Sequence, residues 1–260
     1  MINTWRAMAA IATVILVSAC GVEAADSGTS GSPSASGGAA EVAQATGVPE
    51  STQTALQAEL ATQMAEFDVP GAVVEVCVPG KEPFVITDGV SDLASGQEMT
   101  ADLVWPLRSV TKSFTVTLLL QLVDEGKLSL DDTIGKWVSG VPNGDQITVR
   151  QLANMTSGVP EYTTQAWLDA YLADENRNFT TPELISYAVA EPAQFPPGAQ
   201  AVYVNTSTLL IGQAVAGAAG AEFPDVLQQR ILTPLGLTDT EYPLTADAWS
   251  GPHPTGYQPD

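Results

Sequence analysis

Large apolar residues recur at helical spacing over residues 54–67, in the pattern LxxELxxxMxxF, and Pro70-Gly71 follows as a stop signal. One amphipathic helix is predicted there. Two β-branched runs come next, AVVEVCV (72–78) and FVITDGV (84–90), split by Pro79-Gly80-Lys81-Glu82-Pro83, which predicts a hairpin. From Ser109 to Glu125 apolar residues (Phe114, Val116, Leu118, Leu119, Leu120, Leu122, Val123) lie nearly all round the helical wheel, and Gly126 closes the run. A buried helix is predicted, with Ser109 at its start. Another helical stretch begins near Val149 in ITVRQLANM and stops at Thr156-Ser157-Gly158. Further helices are predicted over 164–174, 181–190, 207–219 and 222–231. No strand pattern of comparable strength follows Val90, and the chain has no internal repeat.

Composition bounds what such elements can build. The chain has 260 residues, 45% of them hydrophobic, enough for one sizeable domain or two small ones. Its formal net charge is -21, and from residue 51 onward 26 acidic side chains face 8 basic ones. Binding to phosphate backbones needs clustered Lys and Arg, so nucleic acid is excluded as a partner. The acidity reads as a solvated face that keeps the chain soluble.

The first twenty residues set one Arg ahead of an uncharged apolar stretch, Ala7 to Val17, too short to span a bilayer, which reads as an export signal. Its end, Val17-Ser18-Ala19-Cys20, resembles the bacterial lipobox. Lipid on Cys20 would anchor the protein to the outer face of the cell membrane. Residues 1–20 are therefore assigned as a lipoprotein signal peptide. Residues 21–53, dominated by Gly, Ser, Ala and Thr, are predicted to be a disordered tether. A folded domain is predicted from 54 to 260. With Cys20 modified, Cys77 in its apolar run is expected to be a buried reduced thiol.

The candidate chemistry lies in LRSVTKSFT, where Ser109 and Lys112 stand three positions apart. Such residues share a helix face, which brings the amine within reach of the hydroxyl. A serine hydroxyl needs a base to take its proton, and lysine serves as one when burial favours the neutral amine. The surrounding Phe and Leu residues are expected to supply that burial, while the helix N-terminus favours an oxyanion. The ordinary alternative is Ser as a helix cap with Lys on a wet face. The motif by itself does not separate the two.

Its context does. WPLRSVTKSFTVTLLLQLVDEGKLSLDDTIGKWV, followed by ITVRQLANMTSGVP, resembles the serine β-lactamase and penicillin-binding protein superfamily, in the branch holding class C β-lactamases, D-alanyl-D-alanine carboxypeptidases and related esterases. FPPGAQAVYVNTSTLLIGQAVA is similar to that branch's Tyr-x-Asn element, carried here by Tyr203 and Asn205, and ILTPLGLTDT (231–240) resembles another recurrent segment. The resemblance implies an α+β, transpeptidase-like fold: a helical lobe plus an antiparallel sheet with helices on it. It implies Ser109 as the acylated nucleophile with its own N–H as an oxyanion donor, and Lys112 and Tyr203 as the proton-transfer pair. Asn205 becomes a donor to the substrate amide. No metal or cofactor is implied. The substrate would be a small amide or ester, a β-lactam or a peptidoglycan peptide. Apart from the family, Tyr203 reads as a packed aromatic and Asn205 as a turn or cap residue.

The family's third element, Lys or His, one residue, then Gly on an inner strand, is not matched. His253-Pro254-Thr255-Gly256 has one residue too many, contains Pro, and lies 48 positions beyond Asn205. The expectation is a C-terminally truncated domain with an incomplete sheet and a weakened oxyanion site. The alternative function is a non-catalytic, membrane-tethered remnant or binding protein.

Overall fold

The computed structural model describes residues 39–245, 248 and 250–257. The lipobox, Cys20 and the first part of the tether lie outside the described residues. The chain divides into two units, residues 1–103 with 252–260, and residues 104–251.

In the first unit, β-branched residues on both sides of the Pro79-Gly80 turn form the expected antiparallel hairpin. Strand β1 (Gly71–Val76) pairs with β2 (Phe84–Asp92), with Val76 opposite Phe84 and Gly71 opposite Gly89. Phe84 and Ile86 are buried and Val85 and Thr87 exposed, the two-residue alternation of a sheet with one dry face. Helix α2 (Glu50–Glu66) covers that face, with Leu56 and Leu60 packing on Val74, Val76, Phe84 and Ile86. The sequence pattern missed a third strand, β3 (Gln97–Glu98), which pairs with β2 across an irregularity between Val90 and Asp92. Two residues carry too little periodicity to be read from sequence. Beyond it, the Thr255 N–H donates to Ser91 O at 2.9 Å, and the Tyr257 hydroxyl accepts the Leu93 N–H at 2.7 Å.

Two expectations about this unit change. The tether does not extend to residue 53, because α1 (Ala39–Thr46) and the first turn of α2 occupy that stretch. Val48 is buried with Phe84 and Ile86, and the Gln53 amide donates to Val48 O at 2.8 Å, so a few contacts order a segment of weak composition. Cys77 is exposed, not buried. It lies just past the end of β1, and its thiol is 3.3 Å from a Glu75 carboxylate oxygen.

The second unit is helical. A 3-10 turn (Arg108–Val110) leads into α3 (Thr111–Asp124), and Gly126 closes it at φ +69°. Helices α4 (Val149–Ala153), α5 (Gln165–Ala173), α6 (Thr181–Val189), α7 (Asn205–Ala219) and α8 (Phe223–Leu227) follow, all within the predicted stretches or within two residues of them. The last is continued by a π-helical turn, Gln228–Leu232. From that turn Arg230 pairs with Glu125 at the end of α3, and with Lys127 it pulls that carboxyl down to about 2. The core runs between α3 and α7: Leu118, Leu119 and Leu122 pack with Leu210, Ile211, Ala214 and Val215. Burial of α3 is one-sided, since Leu120 is 46% exposed. No helix among the described residues is long and apolar enough to cross a membrane.

A loop pairing completes the scaffold. Thr156 O accepts from Gly198 N–H at 2.8 Å, Gly158 O from Gln194 N–H at 2.9 Å, and Met155 O from Val202 N–H at 2.9 Å. The turn after α4 therefore holds the segment that leads into α7. Gly158 adopts φ +75°, and a Cβ there would lie 2.1 Å from Phe195 O. Gly158→Ala is expected to lower unfolding stability by about 2 kcal/mol or more, measured by urea denaturation; native stability would show that the loop tolerates a side chain.

Candidate active site

The nucleophile candidate precedes the α-helix instead of starting it. Ser109 is the middle residue of the 3-10 turn, and Arg108 before it takes φ +48°, a left-handed conformation that a side chain makes costly. The tighter winding matters to the chemistry. In a 3-10 turn residues at i and i+3 nearly eclipse, so Lys112 in the first turn of α3 stands over Ser109. Its amine donates to Ser109 Oγ at 3.1 Å.

The other two predicted residues reach the same point from a distant segment. Tyr203 and Asn205 flank Val204, the cap of α7, and α7 packs along α3. Ser109 Oγ and Tyr203 Oη are 2.8 Å apart. Lys112 Nζ donates to Asn205 Oδ1 at 2.7 Å and lies 4.8 Å from the centre of the Tyr203 ring. An ammonium group has only donors, which fixes the Asn205 amide with its oxygen toward Lys112. The Asn205 NH2 is thereby directed elsewhere, with hydrogens to donate. All four residues meet within hydrogen-bonding distance.

The surroundings differ from those expected. Ser109 is exposed, Lys112 is partly buried and Tyr203 is 57% exposed. The apolar residues of α3 point into the core against α7 and leave its N-terminal end open. Lys112 is surrounded by a hydroxyl, an amide oxygen and an aromatic face. The phenol bears the consequence. Burial pushes the Tyr203 pKa up, but hydrogen bonds with Lys112 and Ser109 and the Lys112 charge outweigh it, so the phenol lies below its ordinary value. A hydroxyl, a phenol of lowered pKa and a cation thus stand in mutual contact, an arrangement through which a proton can pass.

Sequence reasoning missed Glu161. Its Oε2 accepts the Asn205 backbone N–H at 2.5 Å, and its Oε1 accepts the Tyr162 N–H at 2.8 Å. The only local signal was an acidic residue just past the turn that ends α4. Its partner lies 44 positions away, beyond the reach of any spacing rule. Among the described residues no group of His, Cys, Asp and Glu is arranged to hold a metal ion.

A β-lactamase family model matches residues 56–260. Penicillin-binding protein 4 of Amycolatopsis lactamdurans is 31% identical over 178 residues, 66% of this chain and 44% of that protein. Among solved structures, a D-stereospecific amidohydrolase from Streptomyces sp. is 35% identical with a TM-score of 0.63, covering 74% of this chain and 55% of its own. A D-amino acid amidase from Ochrobactrum anthropi SV3, complexed with L-phenylalanine amide, is 31% identical with a TM-score of 0.64, covering 72% and 51%. The chain spans about half the length of these relatives. With the transpeptidase-like α+β fold and the family model matching from α2 onward, this chain belongs to the β-lactamase family of the serine β-lactamase and penicillin-binding protein superfamily.

Proposed function

We propose that the chain is a serine hydrolase that cleaves an amide or ester through an acyl-enzyme on Ser109. The observation that carries this reading is the contact of the Ser109 hydroxyl with both Tyr203 and Lys112, at 2.8 and 3.1 Å. Ser109 Oγ adds to the substrate carbonyl carbon and its proton passes to the Tyr203 oxygen. Lys112, already aimed as a donor at Ser109, stabilises the phenolate by its charge. The Ser109 N–H faces the developing oxyanion. Collapse breaks the carbonyl bond to the leaving amine or alkoxide, which takes the proton from Tyr203. Water then attacks the Ser109 ester, gives a proton to Tyr203 and releases the acid, and Ser109 recovers its own proton.

The substrate class follows from the company the chain keeps. Relatives include a D-amino acid amidase, a D-stereospecific amidohydrolase and a penicillin-binding protein. Those names support an acyl donor of D configuration, such as a D-amino acid amide or the end of a peptidoglycan peptide. The lipobox at Cys20 supports attachment to the outer face of the cell membrane.

Incubation with a fluorophosphonate or a penicillin, followed by mass spectrometry, is expected to give an adduct on Ser109 that disappears in Ser109→Ala. No adduct with either reagent would favour a non-catalytic binding protein. Lys112→Ala is expected to slow acylation by about 100-fold or more with the fold intact. Because Lys112 holds the phenol pKa down, the acid limb of the acylation profile should also move to higher pH in that variant. An unmoved limb would exclude Tyr203 as the proton acceptor. Replacing Cys20 by Ser is expected to release the protein from the membrane fraction with its labelling unchanged; retention there would rule out the lipid anchor.

A further inference from the structure

Helix α7 begins immediately after the reactive phenol, and it begins without help from its own cap. Val204 occupies the cap position and has no side chain able to accept a hydrogen bond. The acceptor comes from another segment. Glu161 accepts the first N–H of the helix, that of Asn205, and puts a carboxylate at the positive end of the helix dipole. Its second oxygen is engaged by the Tyr162 N–H, so the carboxylate cannot swivel without losing a backbone donor. The same loop is keyed to α7 two residues further in, where the buried hydroxyls of Ser157 and Ser207 are 3.3 Å apart.

We propose that Glu161 is a positioning residue for acyl transfer: by fixing the backbone of Asn205 it sets where Asn205 Oδ1 holds Lys112 and where Tyr203 meets Ser109. This rests on the serine-hydrolase reading above. The connection is short. Glu161 touches Asn205, Asn205 touches Lys112, and Lys112 touches Ser109. A carboxylate is needed here, because its two oxygens both face N–H donors; a carboxamide would turn its NH2 toward one of them. The charge also has a chemical consequence. The charged groups facing Tyr203 are Lys112, which lowers its pKa, and Glu161, which raises it. Glu161 thus keeps the Lys112 charge from being wholly uncompensated as it orders the site.

The test uses the full chain with Glu161→Gln and Glu161→Ala, labelled by a fluorophosphonate across a range of pH. Glu161→Ala is expected to label Ser109 about 10-fold more slowly at the plateau, the effect of losing one charge-assisted hydrogen bond, and Glu161→Gln to fall between it and the native chain. In both variants the acid limb should move to lower pH, since the negative charge that raises the phenol pKa is gone. A purely structural role would leave the limb in place. Native plateau rates, or slow labelling with an unmoved limb, would overturn the proposal. Amide exchange of Asn205, followed by NMR, reads the contact independently of chemistry and should speed up in Glu161→Ala. If the native chain is not labelled at all, the hydrolase reading fails by itself. Unchanged Asn205 exchange would then still refute the role of Glu161.

Discussion

The site depends on a single ammonium group. Lys112 extends from the first turn of α3 and donates both to Ser109 on its own segment and to Asn205 at the start of α7. That pair of bonds joins the heads of two helices through residues 93 positions apart in the chain. A charged donor to a neutral acceptor is stronger than a neutral pair, and in a half-open site it keeps much of that advantage. It adds to the direct contact of the Ser109 hydroxyl with the Tyr203 phenol at 2.8 Å.

The bonds are short because the hydrophobic core beneath them is rigid. Leu118, Leu119 and Leu122 on one helix and Leu210, Ile211, Ala214 and Val215 on the other are almost fully buried. Each fully buried large apolar side chain contributes on the order of 2 kcal/mol, so α3 and α7 are locked in register by packing alone. Polar contacts at the N-terminal ends then select geometry more than they add stability. The loop pairing between residues 155–158 and 194–202 serves the same end, delivering Tyr203 to the head of α3.

The electrostatics of the cluster are those of a half-open site. Lys112 donates to Ser109 and Asn205, and its charge and hydrogen bonding hold the Tyr203 phenol below its ordinary pKa. Glu161 sets an opposing charge at the start of α7, where it accepts the Asn205 N–H and raises the Tyr203 pKa.

How much of this was legible in the sequence follows the range of each interaction. The hairpin, α2, α3 and the helices from α4 to α8 rest on periodicity and turn residues within a window of ten to twenty positions, and a close reading of the chain recovers them. The Ser109–Lys112 pair is equally local, and Tyr203 and Asn205 could be named from resemblance. Other features needed the folded chain. Strand β3 pairs on the edge that β2 offers it, and α1 forms in a stretch whose composition predicts a tether, with Ala45 O accepting the Glu82 N–H. The 3-10 geometry at Ser109, the openness of the site and the contact of Glu161 with Asn205 come from how α3, α7 and the loop after α4 pack. The sequence by itself determined the local Ser109–Lys112 pair and the helices that carry it; tertiary structure alone decided that Glu161 holds the Asn205 backbone and that the site stays open, because burial and hydrogen bonding between distant segments have no local code.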